Sequence, residues 1–363
     1  MSNRPASGKP LLTVLGRAAA IFIVLVIGLE AIARTPWVEK ALPLRSVGEY
    51  QYQFEMKWFR LQEYVKVHGG VDVIILGSSL VNTGVDPEVI VQTYSNETGV
   101  DLRVFNFGVE GLTVAPNSVL ARILVARYHP ALLIFVTEMR DYAANNGLGT
   151  ETAFLGNPWL RYQGGGFNLT GWVVDHSAAL QEYLPYRNWV RSDFFTQLST
   201  YQRQSSETNA SGYEPDHRIG QGVDLPPDPD NPVDAFNFQA FRNYQISLTR
   251  LLALENVLAL GKDGKTAVMV VEMPVSPTAF AFFGGEAVHA QFQQVIASVV
   301  QTSGGLFVPW NACSYIPLDG RSDRWHLNQK GAPVFSACLG EQLVIQSLQP
   351  ASIIHGLGEA GAK

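Results

Sequence analysis

Three short apolar runs, residues 73–76, 102–107 and 131–136, alternate with stretches that read as helices. Nothing else in the chain constrains its fold as much. Val73, Ile74, Ile75 and Leu76 follow one another without a polar break, as a strand buried on both faces requires. Asp86, Pro87 and Glu88 then supply an N-cap, a helix-opening proline and a first-turn acid. Val119, Leu120, Ile123, Leu124 and Val125 mark a second helix over residues 116–128. Strand–helix–strand units of this length close as right-handed crossovers, which predicts a parallel, doubly wound sheet. Two more strands are expected at 266–272 and 306–309, with helices over 236–260, 288–302 and 331–348. The first of these helices should bury Leu248, Leu251, Leu252, Leu254, Val257 and Leu258.

The alternation lapses over residues 143–234, which read as an insertion near the mouth of any strand-end site. Trp159, Phe167, Trp172, Trp189, Phe194 and Phe195 are scattered there among Gly and polar residues, where they would stack on sugar rings or pack internally. Residues 178–197 look helical, with a bend at Pro185. Residues 205–234 are rich in Pro, Gly, Asp and Ser and read as a surface loop or mobile lid.

Residues 11–33 are apolar, and a helix of that length rises ~1.5 Å per residue, enough for a ~30 Å hydrocarbon layer. Arg4, Lys9 and Arg17 come before the first acid, Glu30, which puts the N-terminus in the cytoplasm and the rest outside. Ala31-Ile32-Ala33 resembles a signal-peptide cleavage site, but Glu30 beside it favours a retained single-pass anchor. The expected layout is an anchor over 1–33, a juxtamembrane helix within 34–70, a main domain over 71–350 and a tail over 351–363. Phe54, Met56, Trp58, Phe59, Leu61, Tyr64 and Val65 give the juxtamembrane helix its apolar rhythm. A net charge of -6 with no block of like charge argues against nucleic-acid binding. In an exported chain the two cysteines, Cys313 and Cys338, are a candidate disulfide; two small buried thiols are the alternative.

The first run ends in Gly77-Ser78-Ser79, at the strand end where open α/β sheets bind ligands. The same tripeptide is also an ordinary turn or helix cap. A serine nucleophile needs an oriented base. Of the 7 histidines, His68, His129, His289 and His355 have no acid at a suitable offset. His176 follows Asp175, and His217 follows Glu214 and Asp216, all within the irregular insertion. His326 stands after the last strand, three residues beyond Asp323, so one tight turn would bring carboxylate to imidazole. Asn328 is then a candidate cap for the closing helix. No His/Asp/Glu set has helix-spaced ligand geometry, so neither metal nor cofactor is expected.

With these residues the chain resembles the SGNH (GDSL-like) hydrolase superfamily over residues 71–348, the insertion excepted. The resemblance implies a flavodoxin-like doubly wound sheet, with Ser79 as nucleophile and its own N–H in the oxyanion hole. Asn106-Phe107-Gly108-Val109-Glu110-Gly111 matches the second family block and implies Gly108 as a second donor. Asp323 and His326 match the last block. The third block departs: where the family has Gly-x-Asn-Asp, this chain reads Glu138-Met139-Arg140-Asp141, with Arg140 in place of the Asn donor. Asn145 or Asn146 would be substitute donors. Arg140 is expected to point into the same crevice as Ser79, held by Glu138 or Asp141, and to serve substrate selection as much as catalysis; a structural salt bridge on the sheet's rim is the alternative.

The membrane segment together with Gly-Ser-Ser resembles the D-alanyl transfer protein of teichoic acid modification and the O-acetyltransferases of exopolysaccharides. That likeness implies acyl chemistry on a cell-envelope polymer, beside a multi-pass membrane acyltransferase. The competing expectation is a non-catalytic scaffold of a polysaccharide assembly complex, favoured by Arg140.

Overall fold

A computed structural model of the chain describes residues 9–42, 44–48, 52–144, 146–187 and 193–346. Asn145, Trp189, His355 and the tail over 351–363 lie outside these residues. The protein is α/β, built on a five-stranded all-parallel sheet. The strands are β1 (Val73–Gly77), β2 (Val104–Gly108), β3 (Leu132–Thr137), β4 (Ala267–Glu272) and β5 (Leu306–Val308), in the order β2-β1-β3-β4-β5. Each forms on an apolar run expected from sequence, with edges displaced by a residue or two. Every residue of β1, β2 and β3 is buried, because helices cover both faces. Truncating a fully buried side chain such as Ile75 to alanine would cost about 2–5 kcal/mol.

The chain leaves β1 towards β2 on one side and reaches β3 on the other, so a crevice opens where β1 and β3 part. Helix Tyr52–His68 is part of the main core, not merely a stalk. Its Trp58 ring meets Trp159 at 4.6 Å, and Phe54 meets Phe107 at 6.2 Å. The insertion therefore shares this core through Trp159, while Phe167 and Phe195 stay exposed.

Two expectations are corrected. The helix over 236–260 is broken into Pro232–Phe241 and Leu248–Leu258. Asn243 sits between them in the left-handed region, φ 57°, which asparagine tolerates, and Ile246 bridges to Ala143. Leu254, Val257 and Leu258 are buried, but the break turns Leu248 and Leu252 to solvent. Residues 205–234 are not a loose lid. Helix Phe194–Glu207 takes the first of them, and Tyr213, Asp216 and Val223 are buried. Backbone bonds fix the stretch to the domain: Asn106 N to Ser211 O at 2.8 Å, Glu214 N to Asn82 O at 3.2 Å, and Gly220 N to Arg321 O at 2.7 Å.

Cys313 and Cys338 form a disulfide with Cα atoms 5.8 Å apart. It ties the turn after β5 to helix Gly331–Ile345 and closes the loop bearing Asp323 and His326. Loop closure of that size contributes about 3 kcal/mol in the chain-entropy account. Helix Lys9–Ala33 holds an apolar stretch, Thr13–Ala33, long enough to cross a bilayer and unburied by the rest of the protein.

Candidate active site

β1 ends at Gly77, where a Cβ would lie 2.6 Å from Val136 O and 2.5 Å from Val81 Cγ2. Glycine alone lets the chain turn there between β3 and the next helix. Ser78 holds the N-cap position of that helix, Ser79–Gly84, without a side-chain bond to it, and Ser79 is its first residue, so the Ser79 N–H has no intrahelical partner. The helix is short and needs outside support. Asn106, fully buried on β2, donates from Nδ2 to Val81 O at 2.7 Å and Val85 O at 2.6 Å. Its Oδ1 accepts from Lys57 Nζ at 3.1 Å and from Gly108 N at 2.9 Å. Lys57 is fully buried, and burial pushes its ammonium pKa well down, against the pull of the Glu214 carboxylate. Sequence reasoning missed this support. A signal existed, since Lys57 shares the helix face of Phe54 and Leu61, at offsets of three and four residues.

Ser79 Oγ lies 2.9 Å from His326 Nε2. The other ring nitrogen, Nδ1, lies 2.8 Å and 3.0 Å from the two oxygens of Asp323. An ionised carboxylate can only accept, so Nδ1 carries the proton and Nε2 faces the serine hydroxyl as an acceptor. A tight turn makes this possible: Ser322 N donates to His326 O at 3.0 Å, and Arg321 bridges Leu327. Asp323 Oδ1 also accepts the backbone N–H groups of Trp325 at 2.7 Å and His326 at 2.8 Å. Burial alone would raise the Asp323 pKa, but His326 and these two N–H groups outweigh it and hold the carboxyl well below its usual range. Asn328 Oδ1 accepts from Lys330 N at 2.9 Å and Gly331 N at 3.3 Å, at the mouth of the closing helix.

A cavity of about 600 Å³ opens in front of Ser79, His326 and Asp323. Apart from Pro215 its lining is polar, with Asn82, Glu110, Arg203, Glu214, His217 and Arg218 among the walls. Glu214 is set by Asn82 Nδ2 at 2.9 Å and Gln53 Nε2 at 3.1 Å. The corrected stretch over 205–234 thus builds a wall of the site, and His217 stands in it, bonded to Gln329 at 2.6 Å. His176 pairs with Asp175 at 3.8 Å away from this lining.

Two expected donors lie elsewhere. Gly108 gives its N–H to Asn106, whose side-chain Oδ1 reaches forward two residues to accept it. A Cβ at Gly108 would fall 2.4 Å from Asn82 N, so this glycine is the bed on which the Ser79 helix lies. Arg140 is paired with Glu138, as expected, but its guanidinium lies 4.2 Å over the Trp325 ring and does not line the cavity. Glu138 is 2% exposed and needs a cation, and the indole face supplies the second contact. Asp141 closes this knot by accepting from Glu138 N at 3.1 Å, and burial together with Glu138 drives its carboxyl pKa up. Asn146 Nδ2 is bonded to Arg140 O at 3.0 Å. Among the described residues, no three His, Cys, Asp or Glu side chains gather as a metal site needs. In comparisons with known proteins, the chain matches no family model and no curated protein.

Proposed function

We propose that this chain is a membrane-anchored serine esterase or O-acyltransferase of the SGNH type. The observation that carries the reading is the hydrogen-bonded line Ser79–His326–Asp323 at the parting of β1 and β3. The order β2-β1-β3-β4-β5 is that of flavodoxin-like doubly wound sheets and supports the same assignment. Ser79 Oγ attacks an ester carbonyl while His326 Nε2 takes its proton, and Asp323 stabilises the imidazolium. The tetrahedral oxyanion is met by the Ser79 N–H. Collapse expels the alcohol, which receives the proton from His326, and leaves an acyl-serine. Water or a sugar hydroxyl, deprotonated by His326, then takes the acyl group.

The polar side chains that wall the cavity suit a short acyl group on a polyhydroxylated envelope polymer. The disulfide and the basic residues before the apolar helix support an extracytoplasmic domain with a cytoplasmic N-terminus. A multi-pass membrane acyltransferase would supply the acyl group.

A second reading, a polymer-binding scaffold without turnover, is favoured by one observation. Gly108 N–H is committed and Arg140 faces Trp325, so the oxyanion hole is thin. Each missing donor costs ~10²–10³ in rate. A fluorophosphonate probe applied to the detergent-solubilised full chain decides between them. Labelling that disappears in Ser79→Ala is the expected result. A folded protein that takes no label establishes the scaffold.

A further inference from the structure

Helix Lys9–Ala33 does not end in a free linker. The Glu30 carboxylate in its last turn accepts from Ala178 N at 2.6 Å, Ser177 Oγ at 2.9 Å and Ala179 N at 3.3 Å, capping helix Ala178–Tyr183 of the insertion. Arg34, one turn on, pairs with Glu30 at 2.7 Å and donates to His176 O at 3.2 Å. The apolar stretch runs to Ala33, so Glu30 and Arg34 mark the level at which a spanning helix meets the headgroups. Whatever is hydrogen-bonded to them sits at that level too.

What sits there is aromatic and exposed. Trp172 stacks on His176 at 4.8 Å, one turn from the Arg34 contact, with 46% of its surface open. Leu169, 62% exposed, opens the same helix, Leu169–His176, and Phe167, 94% exposed, lies two residues before it. That helix is ~12 Å long at 1.5 Å per residue, so they remain close to the clamp. Trp37, just past the anchor, is 74% exposed. Single exposed apolar residues are ordinary. Several flanking the end of one apolar helix, two of them tryptophans, match the composition of a membrane interface.

We infer that Trp37, Phe167, Leu169 and Trp172 form an interfacial belt that seats the insertion in the lipid headgroup layer. The bilayer is the occupant because the surface is continuous with the helix that would span it. The belt and the Glu30 clamp together make the anchor a rigid stalk, so the Ser79 cavity is carried at a fixed height and tilt. The inference rests on the membrane-anchored reading above and not on catalysis.

The test uses the full chain in nanodiscs of phosphatidylcholine with a minority of phosphatidylglycerol. The native cysteines are both in the disulfide, so a nitroxide can be placed on Phe167→Cys and, as an exposed control, on Tyr315→Cys. Against a water-soluble nickel chelate, the label at 167 should be shielded at least ~3-fold relative to that at 315, with oxygen collisions increased. Equal nickel access at the two positions overturns the belt. Brominated acyl chains give a second measurement that needs no new thiol. Quenching of tryptophan fluorescence should fall by about half in the Trp37→Phe, Trp172→Phe double variant. Quenching unchanged by the double substitution also overturns it.

Discussion

His326 and His289 each turn a ring nitrogen to a carboxylate, Asp323 at 2.8 Å and Glu272 at 2.6 Å. The second nitrogen of His326 meets Ser79, and the pair borders an open cavity, with 43% of the Asp323 side chain in solvent. His289 lies flat on Phe280, ring centroids 3.8 Å apart, and its side chain is 8% exposed. Glu272 gives its other oxygen to Gln293 Nε2 at 2.7 Å and Trp310 N at 3.0 Å. That pair joins the end of β4 to helix Glu286–Thr302 and to the turn after β5. The functional groups are alike. A nucleophile within reach and a path for substrate separate a site from a staple.

The contrast can be broken most directly at the bases. Ser79→Ala and His326→Ala should each lower ester hydrolysis by at least about 10⁴-fold, while His289→Ala stays within about threefold per folded molecule. Hydrolysis that survives the loss of His326 and vanishes with His289 would invert the comparison. Next comes the orienting acid: Asp323→Asn should lower kcat by ~10²–10⁴ per folded molecule. A kcat unchanged per folded molecule would make Asp323 a structural residue instead.

Stability sharpens the comparison from the other side. His289→Ala removes a partner from a buried carboxylate and should cost about 3 kcal/mol in denaturant unfolding. A loss below about 0.5 kcal/mol would mean that the pair fastens nothing. Arg140→Ala should change hydrolysis of neutral and anionic esters alike by less than about threefold, because its guanidinium serves Glu138 and Trp325. A selective fall for the anionic ester would return Arg140 to substrate choice.

The smallest expected effect is on acid stability. The Asp323 carboxyl is depressed on folding, so its contribution is present above the unfolded value, about 4, and lost as pH falls through the folded one. Asp323→Asn should therefore flatten the acid limb of the stability curve below about pH 4, and an unchanged limb would remove the linkage.

The strands were legible in the sequence because both faces are buried, and a two-sided strand spells out its apolar run in consecutive letters. Asp323 and His326 were legible because a tight turn keeps partners three residues apart. The Glu272–His289 staple was not, since its members are 17 residues apart and meet only once the helix docks. Nor was the bond from Lys57 to Asn106, 49 residues on, which exists only in one register of β2. Composition made residues 205–234 look loose, but their order comes from backbone bonds to Asn106, Asn82 and Arg321, which composition does not record. The break at Asn243 was hidden for a related reason, as apolar residues recur on both sides of it, Phe238 and Phe241 before and Ile246 and Leu248 after, while the backbone bridges to Ala143.

The two glycines under the Ser79 helix have a consequence for how variation in such a chain should be read. Gly77 and Gly108 admit no side chain without moving backbone, yet neither borders the cavity. A saturation library scored for folded protein would show these positions as intolerant while accepting alanine at Ser79 and His326. Scored for turnover, the same library would mark all four. The difference between the two maps, more than either alone, would draw the outline of the chemistry.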